Sequence, residues 1–377
     1  MRELQFVRSG RLEWREKEAP ALRAPRDAIV RPFLAGRCDG DTVPIHRPVS
    51  RVLQLGLRAG VIDPVVAAIC GPVPFRGPFG IGHECVGQVV AKGDEVTSLS
   101  IGQVVVVPWA VSCGSCVECG RGLTAKCSTT RIGALAAFGL GAASGPWGGM
   151  VADEFLVPYA DHVLVPVPKG VDPLRVAAAS DNLSDAWRAV VPPLRERPGG
   201  AVLIIGGGAQ SIGLYAAGLA VRHGASVVDY LDDSTERLEI AESFGARVRH
   251  ISANRRRPQL AAVPGRYDVA VEASSRGTGV RDALRSLSPG GVCTAVGYYL
   301  ATNTGVPLMH MYATDATLRL GVSSVRPTLP DLLEFVAGTD FPAERVTTVL
   351  ADWEDAPTAY TVRTTKLVLQ RPPLDLG

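Results

Sequence analysis

Short, Val-rich segments interrupted by Gly, Pro and Asp run along the chain up to about residue 165. They include VGQVVAKGDEV, GQVVVVPW and DEFLVPYADHVLVPVP. Apolar residues that alternate or cluster over a few positions between turn-forming residues are typical of β-strands. The pattern therefore predicts an irregular, mostly β amino-terminal part.

From about residue 200 the pattern changes to strand-like and helix-like segments in turn. These segments are AVLII, SIGLYAAGLAVRHGA, SVVDYLD, STERLEIAESFGA, YDVAVEAS, GVRDALRSLS, GVCTAVGY and LRLGVSS. Strands that alternate with helices need crossover connections, so this part is predicted to be a doubly wound, parallel α/β sheet. The helix-like TLPDLLEFV and the strand-like TTKLVLQ follow later in the chain and do not continue this alternation. We expect them to return to the first domain.

Length and charge narrow the function classes. A chain of 377 residues with 46% hydrophobic residues can form two domains with substantial cores. Its 39 Lys and Arg nearly balance 37 Asp and Glu, and a net charge of +2 predicts no nucleic-acid or anionic-lipid partner. The basic run Arg255, Arg256 and Arg257 is interpreted as a solvated loop. No apolar run reaches the roughly 18 residues that span a bilayer, so no membrane insertion is expected.

Four cysteines lie close together in one loop: Cys113, Cys116, Cys119 and Cys127. Zinc binds four thiolates tetrahedrally at about 2.3 Å, and this spacing predicts a closed, structural zinc site. A disulfide cluster is the alternative. The opening MRELQFVRSGRLEW lacks an apolar signal segment, which favours a reducing cytoplasm and therefore zinc.

A glycine-rich run follows the predicted strand AVLII and opens the next predicted helix. The absence of side chains there would let a pyrophosphate approach the backbone and the helix N-terminus. The next strand ends in Asp232 and Asp233, nineteen and twenty residues after Gly213. A carboxylate there accepts hydrogen bonds from a ribose and repels a 2′-phosphate, and no Arg immediately follows, so NAD is predicted in preference to NADP. The run departs from a simple GxGxxG, and a turn that serves only packing is the alternative. The candidate phosphate-binding residues are Gly206, Gly208, Ile212 and Gly213.

Three further motifs contain residue types that can bind a metal ion. Cys38 lies in GRCDGD, His83 and Glu84 lie in GHECVG, and Asp181 lies in ASDNLSDAW. With the cysteine loop and the nucleotide pattern, they resemble the zinc-dependent medium-chain alcohol dehydrogenases over nearly the whole chain. The resemblance implies a GroES-like, mostly β catalytic domain of residues 1–181 and 324–377. It implies a Rossmann NAD-binding domain of residues 182–323.

The resemblance also assigns roles to residues. Cys38, His83 and Asp181 would hold a catalytic zinc with one coordination position open, where an Asp as third ligand is similar to formaldehyde-dehydrogenase-like members. Glu84 would either support His83 or bind the metal transiently. Val296 and Gly297 would contact the cofactor.

The chain departs from the family pattern around the expected proton relay. Gly40 stands where the family has Ser or Thr, and Val43 stands where a His is frequent. Asp39, Thr42 and His46 are the candidate replacements. His46 is favoured because an ordinary His pKa of about 6.5 suits proton exchange near neutrality.

Two other departures concern the pocket and the cofactor. Cys38 and His83 are 45 residues apart, farther than in the family, and the intervening insert of residues 47–70 is predicted to be apolar and helical. A wall of the substrate pocket, internal packing and a subunit contact are the alternatives for this insert. Asp185 stands where a Thr commonly lies beside the nicotinamide.

The resemblance therefore implies a cytoplasmic, zinc-dependent oxidoreductase that transfers hydride between NAD(H) and a small alcohol or carbonyl compound. It would contain one catalytic and one structural zinc and form a homodimer or homotetramer. Reduction of an imine or another C=X bond is one alternative, and a redox-inactive zinc- or nucleotide-binding protein is another. A nucleic-acid-binding zinc ribbon is a third, and the near-neutral charge argues against it.

Overall fold

The computed structural model describes residues 1–251 and 266–375. The run of Arg255, Arg256 and Arg257 lies outside the described residues. The chain divides into two compact units. The first unit comprises Met1–Ser184, Ser323–Asp340 and Thr347–Gly377, and the second comprises Asp185–Val322 and Phe341–Val346.

The strands and helices are numbered in chain order. The strands are β1 (Arg2–Arg8), β2 (Arg11–Glu16), β3 (Ala28–Gly36), β4 (Phe79–Gly80), β5 (Glu84–Lys92), β6 (Val104–Val107), β7 (Phe155–Val157), β8 (Val165–Pro166), β9 (Val202–Ile205), β10 (Val228–Asp232), β11 (Arg247–His250), β12 (Tyr267–Glu272), β13 (Leu287–Ala295), β14 (Thr317–Arg319), β15 (Val349–Asp352) and β16 (Leu367–Gln370). The helices are α1 (Thr42–His46), α2 (Ser50–Arg58), α3 (Val65–Cys70), α4 (Val117–Gly120), α5 (Ala160–Val163), α6 (Asn182–Glu196), α7 (Gln210–Arg222), α8 (Thr235–Ser243), α9 (Gly277–Arg285), α10 (Leu308–Thr314), α11 (Val325–Gly338) and α12 (Ala356–Ala359).

The first unit is built on two sheets. A small antiparallel sheet has the order β2-β1-β4, and a larger one has the order β15-β16-β3-β5-β6-β8, with β7 also paired to β3. One buried cluster includes Val30, Val89 and Phe138. A separate cluster includes Leu4 and Trp353. The chain returns to this sheet through β16, as the pattern of TTKLVLQ predicts.

Strands β3 and β5 bring distant parts of the sequence together. They are antiparallel, and Gly36 at the end of β3 pairs with Glu84 at the start of β5. Cys38 follows β3 by two residues and His83 directly precedes β5, so both lie at the same edge of the sheet. The long insert between them in sequence does not separate them in space.

The second unit contains a parallel sheet of order β11-β10-β9-β12-β13-β14. Strand β9 is fully apolar and buried, as expected for a central strand covered on both faces. The strand order reverses direction between β9 and β12, and ligands of such sheets bind at the carboxyl ends of the strands beside this switch point. The predicted doubly wound α/β sheet is thus confirmed.

The insert is helical, as predicted, and consists mainly of α2 and α3. Leu53 and Val66 are buried, whereas Val52 and Leu55 are exposed. The Ser144 hydroxyl donates a hydrogen bond to the carbonyl of Ile69 (3.0 Å), which fastens α3 to the neighbouring loop. Across the part of the chain that the structure describes, every helix is too short or too polar to cross a bilayer.

Candidate metal and cofactor sites

Cys38, His83 and Asp181 converge at the edge formed by β3 and β5. Cys38 Sγ lies 3.0 Å from Asp181 Oδ2, and His83 Nε2 lies 3.4 Å from the same oxygen. The ligand atoms of all three residues lie within 4.8 Å of one another. Two ligands bound tetrahedrally to one zinc ion are about 3.3–3.8 Å apart, given bond lengths of about 2.0–2.3 Å. The 3.4 Å separation lies within this range and the 3.0 Å separation is a few tenths of an ångström shorter, so a small side-chain adjustment lets the three bind one zinc ion, with a fourth position left for substrate.

The backbone around the three residues is specialised. Gly82 precedes His83 and has a φ of +91°, in the region that favours glycine, and a Cβ there would collide with the side chain of Val151. Asp181 directly precedes α6. The first residue of that helix, Asn182, donates from its side-chain Nδ2 to Cys38 Sγ (3.4 Å) and to Asp181 Oδ2 (3.3 Å). Asn182 thus orients two ligands, a role that the sequence analysis missed.

The charge of the cluster also fits a bound cation. Burial, followed by the carboxylates of Asp181 and Asp41, raises the pKa of the Cys38 thiol well above its ordinary value. Burial lowers the pKa of His83, but the facing carboxylates, Asp41 first, outweigh it and raise that pKa to about 9. A divalent cation favours the thiolate and the neutral imidazole, because it supplies the positive charge that this pocket lacks.

Asp41 is a further residue that the sequence analysis did not single out. Its carboxylate Oδ1 lies 3.7 Å from His83 Nδ1, and both side chains are about 5% exposed. A ligand imidazole is commonly oriented by a carboxylate behind it, which fixes the ring and strengthens its metal bond. The available signal was the second Asp of CDGD, three residues after Cys38.

Glu84 is occupied by other partners. Its Oε1 accepts a hydrogen bond from the Asn182 backbone (2.9 Å), and its Oε2 pairs with the ammonium of Lys366. Lys366 also donates to Asn182 Oδ1 (2.8 Å) and to the carbonyl of Arg37 (3.1 Å). Burial raises the pKa of Glu84 to about 7 and the ammonium opposes that shift. This arrangement favours the supporting role of Glu84 over that of a transient ligand.

Lys366→Met is expected to lower the free energy of unfolding by about 3–5 kcal/mol, because Glu84 would remain as a buried, unpaired carboxylate. Urea denaturation of the zinc-loaded protein measures this loss. Lys169→Met is the matched control, since Lys169 is exposed and its replacement should cost less than about 0.5 kcal/mol. Equal stability of the two variants would show that the buried pair is absent in solution.

His46 lies at the carboxyl end of α1. Its Nε2 is buried and has no hydrogen-bond partner among the described residues. Burial, reinforced by Arg37 and Arg363, lowers the pKa of His46. Thr42, another relay candidate, donates its hydroxyl to the carbonyl of Asp39 (2.6 Å). The Thr42 hydroxyl proton is therefore used in a hydrogen bond within its own turn.

The four-cysteine loop forms a second cluster. The Sγ atoms of Cys113, Cys116, Cys119 and Cys127 lie within 4.8 Å of one another, and Cys116 and Cys127 are 3.8 Å apart. The four are free thiols, which does not support the disulfide alternative. Backbone N–H groups donate to the sulfurs, as from Cys119 to Cys116 (3.5 Å) and from Cys113 to Cys127 (3.3 Å). Burial raises the pKa of Cys113, but hydrogen bonds from the Thr129 side chain and from Ser115 outweigh it and lower the pKa to about 6. Four converging sulfurs, of which Cys113 and Cys116 have a lowered pKa, fit a structural zinc ion.

The glycine run lies at the switch point of the parallel sheet. The Gly206 N–H still pairs with Leu231 of β10 (2.7 Å), and the Gly208 N–H reaches the carbonyl of Ser274 after β12 (3.3 Å). Gly207 has a φ of +141°, which favours glycine. Helix α7 begins at Gln210 without a side-chain cap, so its N-terminus is suited to a pyrophosphate. The predicted residues Ile212 and Gly213 are buried in its first turn.

Asp232 ends β10 and is fully buried. Its carboxylate accepts hydrogen bonds from the Tyr230 hydroxyl (2.8 Å), Arg237 Nε (2.9 Å) and the backbone N–H of Ser234 (3.0 Å). Burial raises its pKa, but the hydrogen bonds from Arg237 outweigh this and hold the pKa of Asp232 below its ordinary value. Arg237 was not predicted from the sequence, because it lies five residues further along and reaches back from α8.

Asp233 is the more accessible of the two acids. Its side chain is 26% exposed and accepts a hydrogen bond from Arg237 Nη2 (2.9 Å), while Arg276 approaches to 4.0 Å. The negative charge at this strand end is therefore partly balanced by arginine. Any repulsion of a 2′-phosphate depends mainly on Asp233.

The other predicted cofactor contacts lie at the same edge of the sheet. Val296 follows β13 and its N–H donates to the carbonyl of Glu272 (2.9 Å), while Gly297 closely approaches the backbone of Ser275. Asp185, which replaces the common Thr, forms an ion pair with Arg188 one turn later in α6.

Comparisons with known proteins agree with this geometry. Residues 25–169 match the alcohol dehydrogenase GroES-like domain, and residues 211–338 match the zinc-binding dehydrogenase family. The chain is 30% identical over 315 residues to a probable zinc-binding alcohol dehydrogenase, Rv1895, of Mycobacterium tuberculosis, covering 80% of this chain and 78% of the relative. It is 32% identical over 292 residues to glutathione-independent formaldehyde dehydrogenase of Pseudomonas aeruginosa, covering 71% of this chain and 72% of that protein.

Solved structures share the same architecture. Alcohol dehydrogenase TADH from Thermus sp. ATN1 superposes with a TM-score of 0.80 and 30% identity, over 98% of this chain and 99% of that one. The Escherichia coli alcohol dehydrogenase rspB, complexed with NADH, shares the fold at a TM-score of 0.76 and 21% identity, over 98% and 99% of the two chains. The chain belongs to the zinc-dependent medium-chain alcohol dehydrogenase family, a family of oxidoreductases whose general activity is hydride transfer with NAD(H).

Proposed function

We propose that Cys38, His83 and Asp181 hold the catalytic zinc of this oxidoreductase, and that its substrate is a small alcohol or the corresponding carbonyl compound. The observation that supports the proposal most is the convergence of one thiol, one imidazole and one carboxylate within 4.8 Å. When bound, zinc supplies a Lewis acid that polarises a substrate oxygen. The similarity to a glutathione-independent formaldehyde dehydrogenase supports a small substrate.

The chain's own groups prepare this site. Asn182 and Asp41 orient the ligands, and Lys366 balances the charge of Glu84 in a region closed to water. A dry, preorganised site strengthens each electrostatic interaction with the reacting group. The ligand set would thus hold its geometry while hydride passes between substrate and nicotinamide.

A substrate panel tests the proposed reaction. The zinc-loaded protein is assayed for NADH absorbance with primary and secondary alcohols, with aldehydes and with a cyclic imine. Turnover of alcohols or aldehydes is the expected result. Turnover of the imine alone would favour the altered chemistry, and no turnover by a protein containing both zinc ions would favour the redox-inactive alternative.

We propose that NAD is preferred to NADP because Asp233, held beside the Asp232–Arg237 pair, repels a 2′-phosphate. Asp233→Ser is expected to lower the ratio of the NADP dissociation constant to the NAD dissociation constant about tenfold, equivalent to about 1.4 kcal/mol. Calorimetry with both cofactors measures the ratio, and Glu239→Gln, an exposed change in helix α8 that follows Asp233, should leave it unaltered. Tighter binding of NADP to the wild-type protein would contradict the assignment.

We propose that His46 accepts the proton released by an alcohol substrate. Its lowered pKa keeps the ring neutral near pH 7 and able to accept a proton, and its Nε2 lacks a partner in the described structure. Activity should fall as the pH drops through this pKa, because the protonated ring cannot accept. His46→Gln should lower kcat on the order of 100-fold and flatten the acidic limb of the pH profile. An unchanged profile at unchanged zinc content would favour water entering beside Gly40.

We propose that the protein forms a homo-oligomer. A homodimer or homotetramer is supported by β14, an edge strand, and by exposed side chains near it, among them Met309 (75%), Tyr312 (80%) and Leu320 (59%). Light scattering of the purified protein decides the oligomeric state.

We propose domain limits of 1–181 with 324–377 and 182–323, which the division into compact units supports. A cytoplasmic location is proposed from the zinc-binding thiols, which need reducing conditions.

A further inference from the structure

A surface cavity of about 350 Å³ in the first unit is unrelated to the ligand clusters described above. Three segments form its wall: the end of β1 with the following turn, the link between α1 and α2, and the loop before β4. Each segment contributes arginine. The four are Arg8, Arg47, Arg51 and Arg76.

The charge of this cavity differs from that of the whole protein. The chain carries a net charge of only +2, yet the residues that line the cavity include four arginines and no Asp or Glu. Within residues 1–251 and 266–375, none of these four arginines forms an ion pair, whereas many other arginines do. The four side chains are exposed, so salt screens them from one another, and a multiply charged anion could pair with several of them at once.

The wall is fastened by hydrogen bonds between its segments. The Ser9 hydroxyl and the Gly10 N–H both donate to the carbonyl of Ile45 (3.1 and 2.9 Å). The Ser50 hydroxyl donates to the carbonyl of Phe75 (3.2 Å). The backbones that bear the arginines are therefore held in fixed relative positions, which lowers the entropic cost of binding.

Two features indicate the kind of anion. Arginine presents a planar fork of donors that matches phosphate oxygens in two-point contacts. The volume of about 350 Å³ lies at the lower end of the range of about 300–1,000 Å³ for small-molecule sites, which suits a compact ligand. Phe75 and Pro44 add apolar surface for a carbon scaffold.

We propose that this cavity binds a small organic molecule that carries two phosphate groups. The site comprises residues of the first unit only, so it is separate from the glycine run proposed for the cofactor pyrophosphate. Arg47 and Arg51 flank the start of α2, whose free N–H groups add positive potential at the same place.

Calorimetry with fructose 1,6-bisphosphate tests the site. The zinc-loaded protein is saturated with NAD⁺ first, so that the cofactor loop cannot take up the probe, and glucose serves as the uncharged control. Saturable binding at one site per chain is expected. Arg47→Gln with Arg51→Gln should weaken it about 100-fold, about tenfold for each lost guanidinium.

Arg58→Gln is the matched control, because Arg58 lies on the same helix but outside the cavity. It should change the affinity by less than about twofold. Thermal unfolding and zinc content confirm that the variants remain folded. Equal weakening by Arg58→Gln, unaltered binding by the double variant, or no saturable binding by the wild type would overturn the proposal. It would also be overturned if phosphatidylserine vesicles or a single-stranded oligonucleotide bound through Arg47 and Arg51 while the bisphosphate did not.

Discussion

Asp181→Ala is expected to lower kcat by more than about 100-fold, since changes merely adjacent to metal ligands already cost 10–100-fold. Asp181 contributes the oxygen that lies nearest to both other proposed ligands, Cys38 and His83. Its loss leaves a thiol and an imidazole, which hold zinc less firmly. The variant should therefore keep one zinc ion per chain, in the cysteine loop, and remain folded.

Steady-state assay and elemental analysis measure these two effects on the same preparation. Asp94→Ala is the matched control, because Asp94 is an exposed carboxylate that belongs to neither cluster. It should retain two zinc ions and near wild-type turnover. If Asp181→Ala retained both zinc ions and its activity, another residue would have to complete the catalytic ligand set.

Cys119→Ser, in contrast to Asp181→Ala, is expected to lower the stability of the protein more than its activity. A four-thiolate zinc site contributes its binding free energy to folding, so loss of one ligand should lower the free energy of unfolding by at least about 3 kcal/mol. Chemical denaturation followed by fluorescence measures the loss. The zinc that remains should be the one bound by Cys38, His83 and Asp181.

Cys70→Ser controls for the chemical change itself. Cys70 is a partly exposed thiol outside both clusters, and its replacement should leave two zinc ions and cost about 1 kcal/mol or less. A Cys119→Ser variant that retained two zinc ions and unfolded at the wild-type denaturant concentration would show that the loop does not depend on the metal.

Features that depend on neighbouring residues were predictable from the sequence. The alternation of strands and helices after residue 200 predicted the parallel sheet, because hydrophobic periodicity is a local signal. The spacing of Cys113, Cys116 and Cys119 predicted a shared site for the same reason. Even the helices of the insert followed from its apolar pattern.

Partners supplied by distant strands were not predictable. Strand β16 pairs with β3, and Val368 lies opposite Gly36, which in turn pairs with Glu84. This register brings Lys366 onto Glu84 although 282 residues separate them. A single Lys in TTKLVLQ gives no local sign that it will be buried and paired.

Arg237 escaped prediction for a related reason. The rule that an Arg next to the strand end favours NADP considers only the immediately following residues. Ser234 caps α8 by accepting from the Arg237 N–H (3.4 Å), and the helix turns the guanidinium back onto Asp232. The arginine-lined cavity is a similar case, because the pairing of β1 with β4 brings the segments that carry Arg8 and Arg76 to the same cavity.

Zinc-edge anomalous diffraction from crystals of the wild-type protein tests the central claim most directly. The account predicts two peaks per chain. One should lie among the four cysteine sulfurs, and the other should lie at about 2.0–2.3 Å from Cys38 Sγ, His83 Nε2 and an Asp181 oxygen. A single peak in the cysteine loop, or a second peak that lacks Asp181 among its ligands, would contradict the proposed catalytic site.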